Sequence, residues 1–249
     1  MSGHSKWAKI KRTKGVLDQK RGQAFSRLAK EIQMAAKSGG DPDTNLRLRN
    51  ILLKAKEVSM PADTVKRAID KGTGAEGGAA LEEFLYEGYG PAGVAMLVEV
   101  VTDNRNRTAA DIRSIFSKYN GNMADSGAVA FLFDKKGLIT IKKDAIGEDD
   151  LMGLVLDAGA EDLKTEKADL YEVITAPESF DVVKKALDDK KIQTEGAELT
   201  MVPKTTVVLD EKKAESVLKL YDMLDDYEDV QNVHANFEVS DEIMAKLDR

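Results

Sequence analysis

The sequence predicts an α+β protein: an N-terminal three-helix bundle followed by two ferredoxin-like α+β domains, one inserted into the other. Three features carry that expectation. Apolar residues recur at helical spacing up to Gly72, and a glycine-rich run then interrupts the pattern. Beyond it strand-like and helix-like segments alternate, and one stretch reads β-α-β-β-α-β on its own. A chain of 249 residues allows between one and two domains of about 150 residues each. Its 42% hydrophobic residues and 19 glycines suffice for a packed core, which excludes full disorder and a collagen helix.

The elements follow in order. Residues 1–17 hold Lys6, Lys9, Lys11, Arg12 and Lys14, with Trp7 and Ile10 as the large apolar residues ahead of Val16. No period is sustained there, which predicts a basic arm. Over 18–72, Phe25, Leu28, Ala29, Ile32 and Ala36 form the stripe of an amphipathic helix that Gly39-Gly40 ends. A second helix runs from Leu46 to Val58, and a third opens at Pro61 and stops at Gly72. Residues 73–81 read as a linker. Gly72, Gly74 and Gly77 satisfy G-x-G-x-x-G, but a helix precedes them where a dinucleotide site needs a strand, so no cofactor is expected. Residues 82–135 together with 204–249 predict a discontinuous α+β domain. Its strands are expected at Phe84–Tyr86, Val94–Val101, Val129–Phe133, Thr206–Leu209 and Val230–Val239. Its helices carry Ile112, Ile115, Phe116 and Tyr119, then Val217, Leu220, Tyr221 and Leu224. Residues 136–203 predict the inserted β-α-β-β-α-β domain.

Composition narrows the function. There is no cysteine, hence no disulfide framework, thiol nucleophile or cysteine-ligated metal. No run approaches the roughly 18 apolar residues of a membrane span, and no apolar segment follows the N-terminal charges as in a secretory signal. A soluble cytoplasmic protein is expected. No P-loop, H-E-x-x-H or G-x-S-x-G pattern occurs, and neither His4 nor His234 has a sequence-local partner. A non-enzyme with no catalytic or metal-ligating residue and no small-molecule substrate is therefore predicted. Asp149-Asp150, Asp188-Asp189 and Asp225-Asp226 read as solvated helix faces rather than metal ligands.

The net charge of −7 hides a division. Residues 1–72 hold 17 basic against 7 acidic residues, +10, and the remainder holds 20 against 37, −17. Lys6, Lys9, Lys11, Arg12, Lys14, Lys20, Arg21, Arg27 and Lys30 face only Asp18 within the first 30 residues. Such a run binds phosphate without choosing sequence. Trp7 within it either stacks on an unpaired base or anchors the arm to the bundle. A second candidate is Thr102 to Thr108, between a strand and a helix, where Arg105 and Arg107 converge on a positive helix end. That loop takes a phosphate, or its arginines pair with carboxylates of the acidic body.

Gly3 to Lys11, Lys20-Arg21-Gly22, Glu87 to Pro91, Thr102 to Thr108 and Asp229 to Val233 together resemble the YebC/PmpR family, almost end to end and in order. The resemblance implies three domains, a helical bundle and two α+β domains of which one interrupts the other. It also implies a cytoplasmic, DNA-binding transcriptional regulator acting on duplex DNA. The alternative within the family is a ribosome-associated translation factor, bound to ribosomal RNA, that relieves stalling at proline-rich sequences; mitochondrial relatives activate translation of a cytochrome oxidase subunit. Many relatives carry Gly where this chain has Ala92, and His-Gly where it has Tyr119-Asn120.

Overall fold

A computed structural model describes residues 17–75, 80–166 and 169–247, so the predicted arm lies almost wholly outside the described residues. The chain divides into two compact units, one of Phe131–Thr206 and the other of the residues before and after it.

In the larger unit, the bundle is α1 (Leu17–Ala36), α2 (Leu46–Glu57) and α3 (Ala62–Gly72). Leu28, Ile32, Ala35, Leu48, Ile51, Ala55, Met60 and Ala68 form its buried core; Leu28 and Ile32 come from the predicted stripe, with Phe25 and Ala29 partly buried against them. Asn45 ties the turn between α1 and α2. Its side chain accepts from Leu48 N at 3.0 Å, capping α2, and donates to the carbonyls of Ala35 and Gly39, each at 2.8 Å. The glycine motif is structural on both described members. A Cβ on Gly72 would run into the Gln33 carbonyl and lie 2.6 Å from the Ala36 methyl, so α3 approaches α1 there as only glycine permits. Gly74, at φ +83°, ends α3: Gly74 N bonds Lys71 O at 3.2 Å and Ala75 N bonds Asp70 O at 2.9 Å, a Schellman motif.

The same unit holds β1 (Glu82–Tyr89), β2 (Ala95–Thr102), α4 (Arg105–Lys118), β3 (Asn122–Ala124), β8 (Val207–Val208), α7 (Glu211–Asp225), β9 (Val230–Ala235), β10 (Phe237–Glu238) and α8 (Asp241–Leu247). Its four-stranded sheet has the order β3-β1-β2-β9, antiparallel throughout. Ile112 and Phe116 of α4 and Val217, Leu220, Tyr221 and Leu224 of α7 pack on Tyr86, Met96, Val98, Val100, Val230 and Val233. Both helices thus cover one face.

Two expected strands are corrected. Val129–Phe133 is not a strand. The backbone N–H groups of Gly127, Val129 and Ala130 donate to the carboxylate of Glu87 at 2.5, 2.7 and 2.8 Å, which leaves Val129 fully buried in a loop. Val230–Val239 is broken at Asn236, whose side chain accepts from Ala95 N at 2.8 Å while its own N–H donates to Ala95 O at 3.1 Å. β10 then leaves to pair in parallel with β8.

The unit Phe131–Thr206 carries β4 (Phe133–Lys142), α5 (Glu148–Asp157), β5 (Ala160–Lys164), β6 (Leu170–Thr175), α6 (Phe180–Asp189) and β7 (Thr194–Pro203). Strand order β5-β6-β4-β7 with antiparallel pairing is the ferredoxin-like arrangement. Leu151 and Val155 of α5 and Val183 and Leu187 of α6 pack on Ile139, Ile141, Tyr171 and Val173. No helix of the described residues is long and apolar enough to cross a membrane.

Ala92 and Asn120, the positions where the resembling sequences carry glycine, both sit at φ 60°. An L side chain is strained there. Ala92→Gly should raise the unfolding free energy by about 0.5–1 kcal/mol, read from urea denaturation, whereas Gly72→Ala should lower it by about 1–3 kcal/mol.

Candidate nucleic-acid interface

Of the residues singled out for phosphate, Lys6, Trp7, Lys9, Lys11, Arg12 and Lys14 lie outside the described residues. Lys20 and Arg21 fall in the first turns of α1. Arg105 and Arg107 open α4.

The Thr102–Thr108 segment is a finished helix start. Asn104 is the N-cap, its side chain accepting from Arg107 N at 3.1 Å, and Thr102 Oγ1 accepts from Asn104 N at 3.0 Å. From this frame the two arginines diverge. Arg107 Nη2 lies 3.1 Å from Asp103 Oδ1 and 3.1 Å from Asp229 Oδ2. Its hydrogen bond to Asp229, opposed by burial and helped by the charges of Asp229 and Asp103, holds the guanidinium more firmly protonated than usual. Arg105 instead places its guanidinium 5.0 Å over the Phe84 ring and makes no ion pair with a described carboxylate. For Arg107 the structure realises the internal pairing. Arg105 is exposed and keeps its charge available.

Asp229 is the centre of the network. Its side chain is only 4% exposed, and both oxygens are engaged. Oδ1 accepts from Lys30 Nζ at 2.8 Å, and Oδ2 from Thr108 Oγ1 at 2.7 Å and Arg107 Nη2 at 3.1 Å. Burial pushes this carboxyl up, but the hydrogen bonds from Lys30, Thr108 and Arg107 together outweigh it and hold the group below its usual range. Beside it, Tyr227 OH donates to Asp111 Oδ2 at 2.6 Å. Burial, then that bond, pushes the phenol up to about 12.

The bundle reaches the sheet through cations. Arg27 Nη1 lies 3.1 Å from Asp225 Oδ1, and the same guanidinium donates to the Asp225 carbonyl. Lys30 also donates to the carbonyls of Val101 at 3.2 Å and Glu228 at 2.9 Å. Arg47 Nη2 lies 2.5 Å from Glu83 Oε1, and Lys37 donates to the Leu81 carbonyl. Asp225 is thus corrected from a solvated helix residue to an ion-pair partner with 22% of its side chain exposed. Asp188 and Asp189 stay on the surface, in exposed i,i+4 pairs with Lys184 and Lys185. His234, 7% exposed, has Nε2 3.2 Å from Glu99 Oε1 within the sheet.

Sequence reasoning missed Asp229 and Glu87 as organising groups. Their only signal was membership in the quoted Asp229–Val233 and Glu87–Pro91 segments, each an acid in an otherwise uncharged run.

Two family models match the chain: the TACO1/YebC protein N-terminal domain over residues 5–75 and the TACO1/YebC second and third domain over residues 81–237. A protein of Syntrophus aciditrophicus named a probable transcriptional regulatory protein is 54% identical over 249 residues, covering 99% of each chain. One of Elusimicrobium minutum with the same name is 49% identical over 251 residues, covering all of both. The crystal structure of a conserved hypothetical protein from Aquifex aeolicus superposes with a TM-score of 0.80 at 40% identity, covering 92% of this chain and 95% of that one.

The pH dependence of Asp229 follows from its lowered pKa. A carboxyl depressed in the folded state contributes stability that is complete above its unfolded value near 4 and is lost as pH falls through the folded value. Asp229→Asn should cost about 2–3 kcal/mol at pH 7, because Lys30 and Arg107 lose their counter-charge. That difference from the parent should shrink between pH 5 and pH 3 in urea denaturation series. A cost that is constant over this range would place the effect in packing instead.

Proposed function

This chain belongs to the TACO1/YebC family, and we propose that it is a non-enzymatic, nucleic-acid-binding regulator of gene expression, acting in the cytoplasm as a DNA-binding transcriptional regulator. The observation that supports this reading is the division of charge. Nine cations against one acid in residues 1–30 precede a body of net −17 beyond residue 72. A protein so divided turns one end toward a polyanion and holds the rest of its surface away. The names of its relatives agree in kind.

The phosphate contacts we assign are Lys6, Lys9, Lys11, Arg12, Lys14, Lys20 and Arg21, with Trp7 among them and Arg105 as an outlying cation. Arg107 takes an indirect part. Through Asp229 and Asp103 it fixes the start of α4 on which Arg105 stands.

A second reading, a translation factor bound to ribosomal RNA, is favoured by Trp7 inside the basic run. An indole flanked by cations suits an unpaired base better than a duplex groove. Sedimentation of a lysate through a sucrose gradient separates the two. Co-migration with ribosomes that survives DNase selects translation, and a promoter footprint with no ribosomal fraction selects transcription.

Removal of residues 1–17 should weaken nucleic-acid binding and reduce the magnitude of the log K against log salt slope by about three to four units, as four to five phosphate contacts are lost. Filter binding across a salt series reads the slope. An unchanged slope would take the arm out of the interface.

A further inference from the structure

The two apolar cores of the larger unit share no residue among those described: one is built from α1–α3 and the Met60 turn between them, the other from the strands, α4, α7, α8 and the loops that join them. What joins them is a row of cations on the bundle set into carboxylates and carbonyls of the α+β body. Arg27 meets Asp225 at 3.1 Å, Lys30 meets Asp229 at 2.8 Å, and Arg47 meets Glu83 at 2.5 Å. Lys37 closes the row on the Leu81 carbonyl.

We propose that Arg27, Lys30 and Arg47 form a phosphate-binding face of the bundle that Asp225, Asp229 and Glu83 cover in this structure, so that nucleic acid and the acidic body compete for the same cations. The inference rests on the proposed function and adds to it a closed and an open form. Lys20, Arg21, Arg27 and Lys30 lie along about 15 Å of one helix that continues directly from the basic arm. A backbone gripped by the arm therefore meets Arg27 and Lys30 next. A carboxylate offers each of them one negative charge and two acceptors. A nucleic-acid strand offers a phosphate at every step, and counterion release adds to the exchange. The Arg47–Glu83 pair is half-exposed, at 58% and 47%, and holds weakly against screening, whereas Arg27 and Asp225 are 24% and 22% exposed. Lys30 with Asp229 is the deep pair and the last to part.

The absence of cysteine makes the test direct. Lys66→Cys in α3 and Lys212→Cys in α7, both exposed, accept a donor and acceptor dye on the full-length chain. A 20-base-pair DNA duplex and a 20-nucleotide RNA serve as probes. Transfer should fall on raising NaCl without a probe, and fall again at low salt as either probe saturates. The double variant Glu83→Gln with Asp225→Asn, which spares buried Asp229, should show lower transfer at rest and bind the probe about three- to ten-fold more tightly. Saturation by a probe with transfer unchanged would overturn the competition and leave the functional reading standing, as would a double variant that binds no tighter than the parent. Failure of both probes to bind would overturn the functional reading, and the competition with it.

Discussion

One buried carboxylate holds three parts of this protein in register. Asp229 stands where β9 begins, and it accepts from Lys30 of the bundle, from Arg107 in the first turn of α4, and from Thr108 beneath them. An isolated carboxylate at 4% exposure would not remain ionised. Three donors make it affordable, one from the bundle and two neighbours from the first turn of α4. Removing the charge leaves Lys30 and Arg107 without the counter-charge they share. Through it Lys30 of α1 and the start of α4, on which Arg105 stands, are both tied to the head of β9.

Glu87 plays the corresponding part on the other side of β1. It is 3% exposed and takes three backbone N–H groups from the loop before β4. Burial raises its pKa, yet the donors from Gly127, Val129 and Ala130 bring it below the ordinary value. Both anchors use an acid to organise donors that local structure would otherwise leave open, and both lie in an acidic body whose remaining carboxylates mostly face water.

The helices were legible because a stripe at 3.6-residue spacing is a local property: the pattern from Phe25 to Ala36 covers the second half of α1 and ends where the helix ends. The β-α-β-β-α-β order of the inserted stretch was legible for the same reason. What escaped were features set by partners far along the chain. Val129–Phe133 looks β-like, but its backbone donors go to Glu87, some forty residues back. The run Val230–Val239 is apolar enough for one strand, but Asn236 bonds both ways to Ala95 and breaks it. For the Arg105/Arg107 loop the sequence posed the right pair of alternatives. Only the fold could choose for Arg107, since Asp229 is 122 residues distant. The assignment of the arm to phosphate rests on charge alone, which composition reveals and geometry does not add to.

The inserted unit enters on β4 and leaves on β7, which are neighbours in one sheet: Phe133 pairs with Pro203. Its two ends therefore meet. For the surrounding sheet, 76 residues separate Ala130 from Val207 along the chain, yet once the insert has folded they behave as the ends of a short turn. Closing a loop of that contour length, rather than one of about five residues, costs roughly 2 kcal/mol of chain entropy. An insert that folds first relieves its host of that cost. The order of assembly during synthesis is thereby biased from the inside outward, with β9, which carries Val230 and adjoins Asp229, the last strand of the four-stranded sheet to be emitted and the one that completes it.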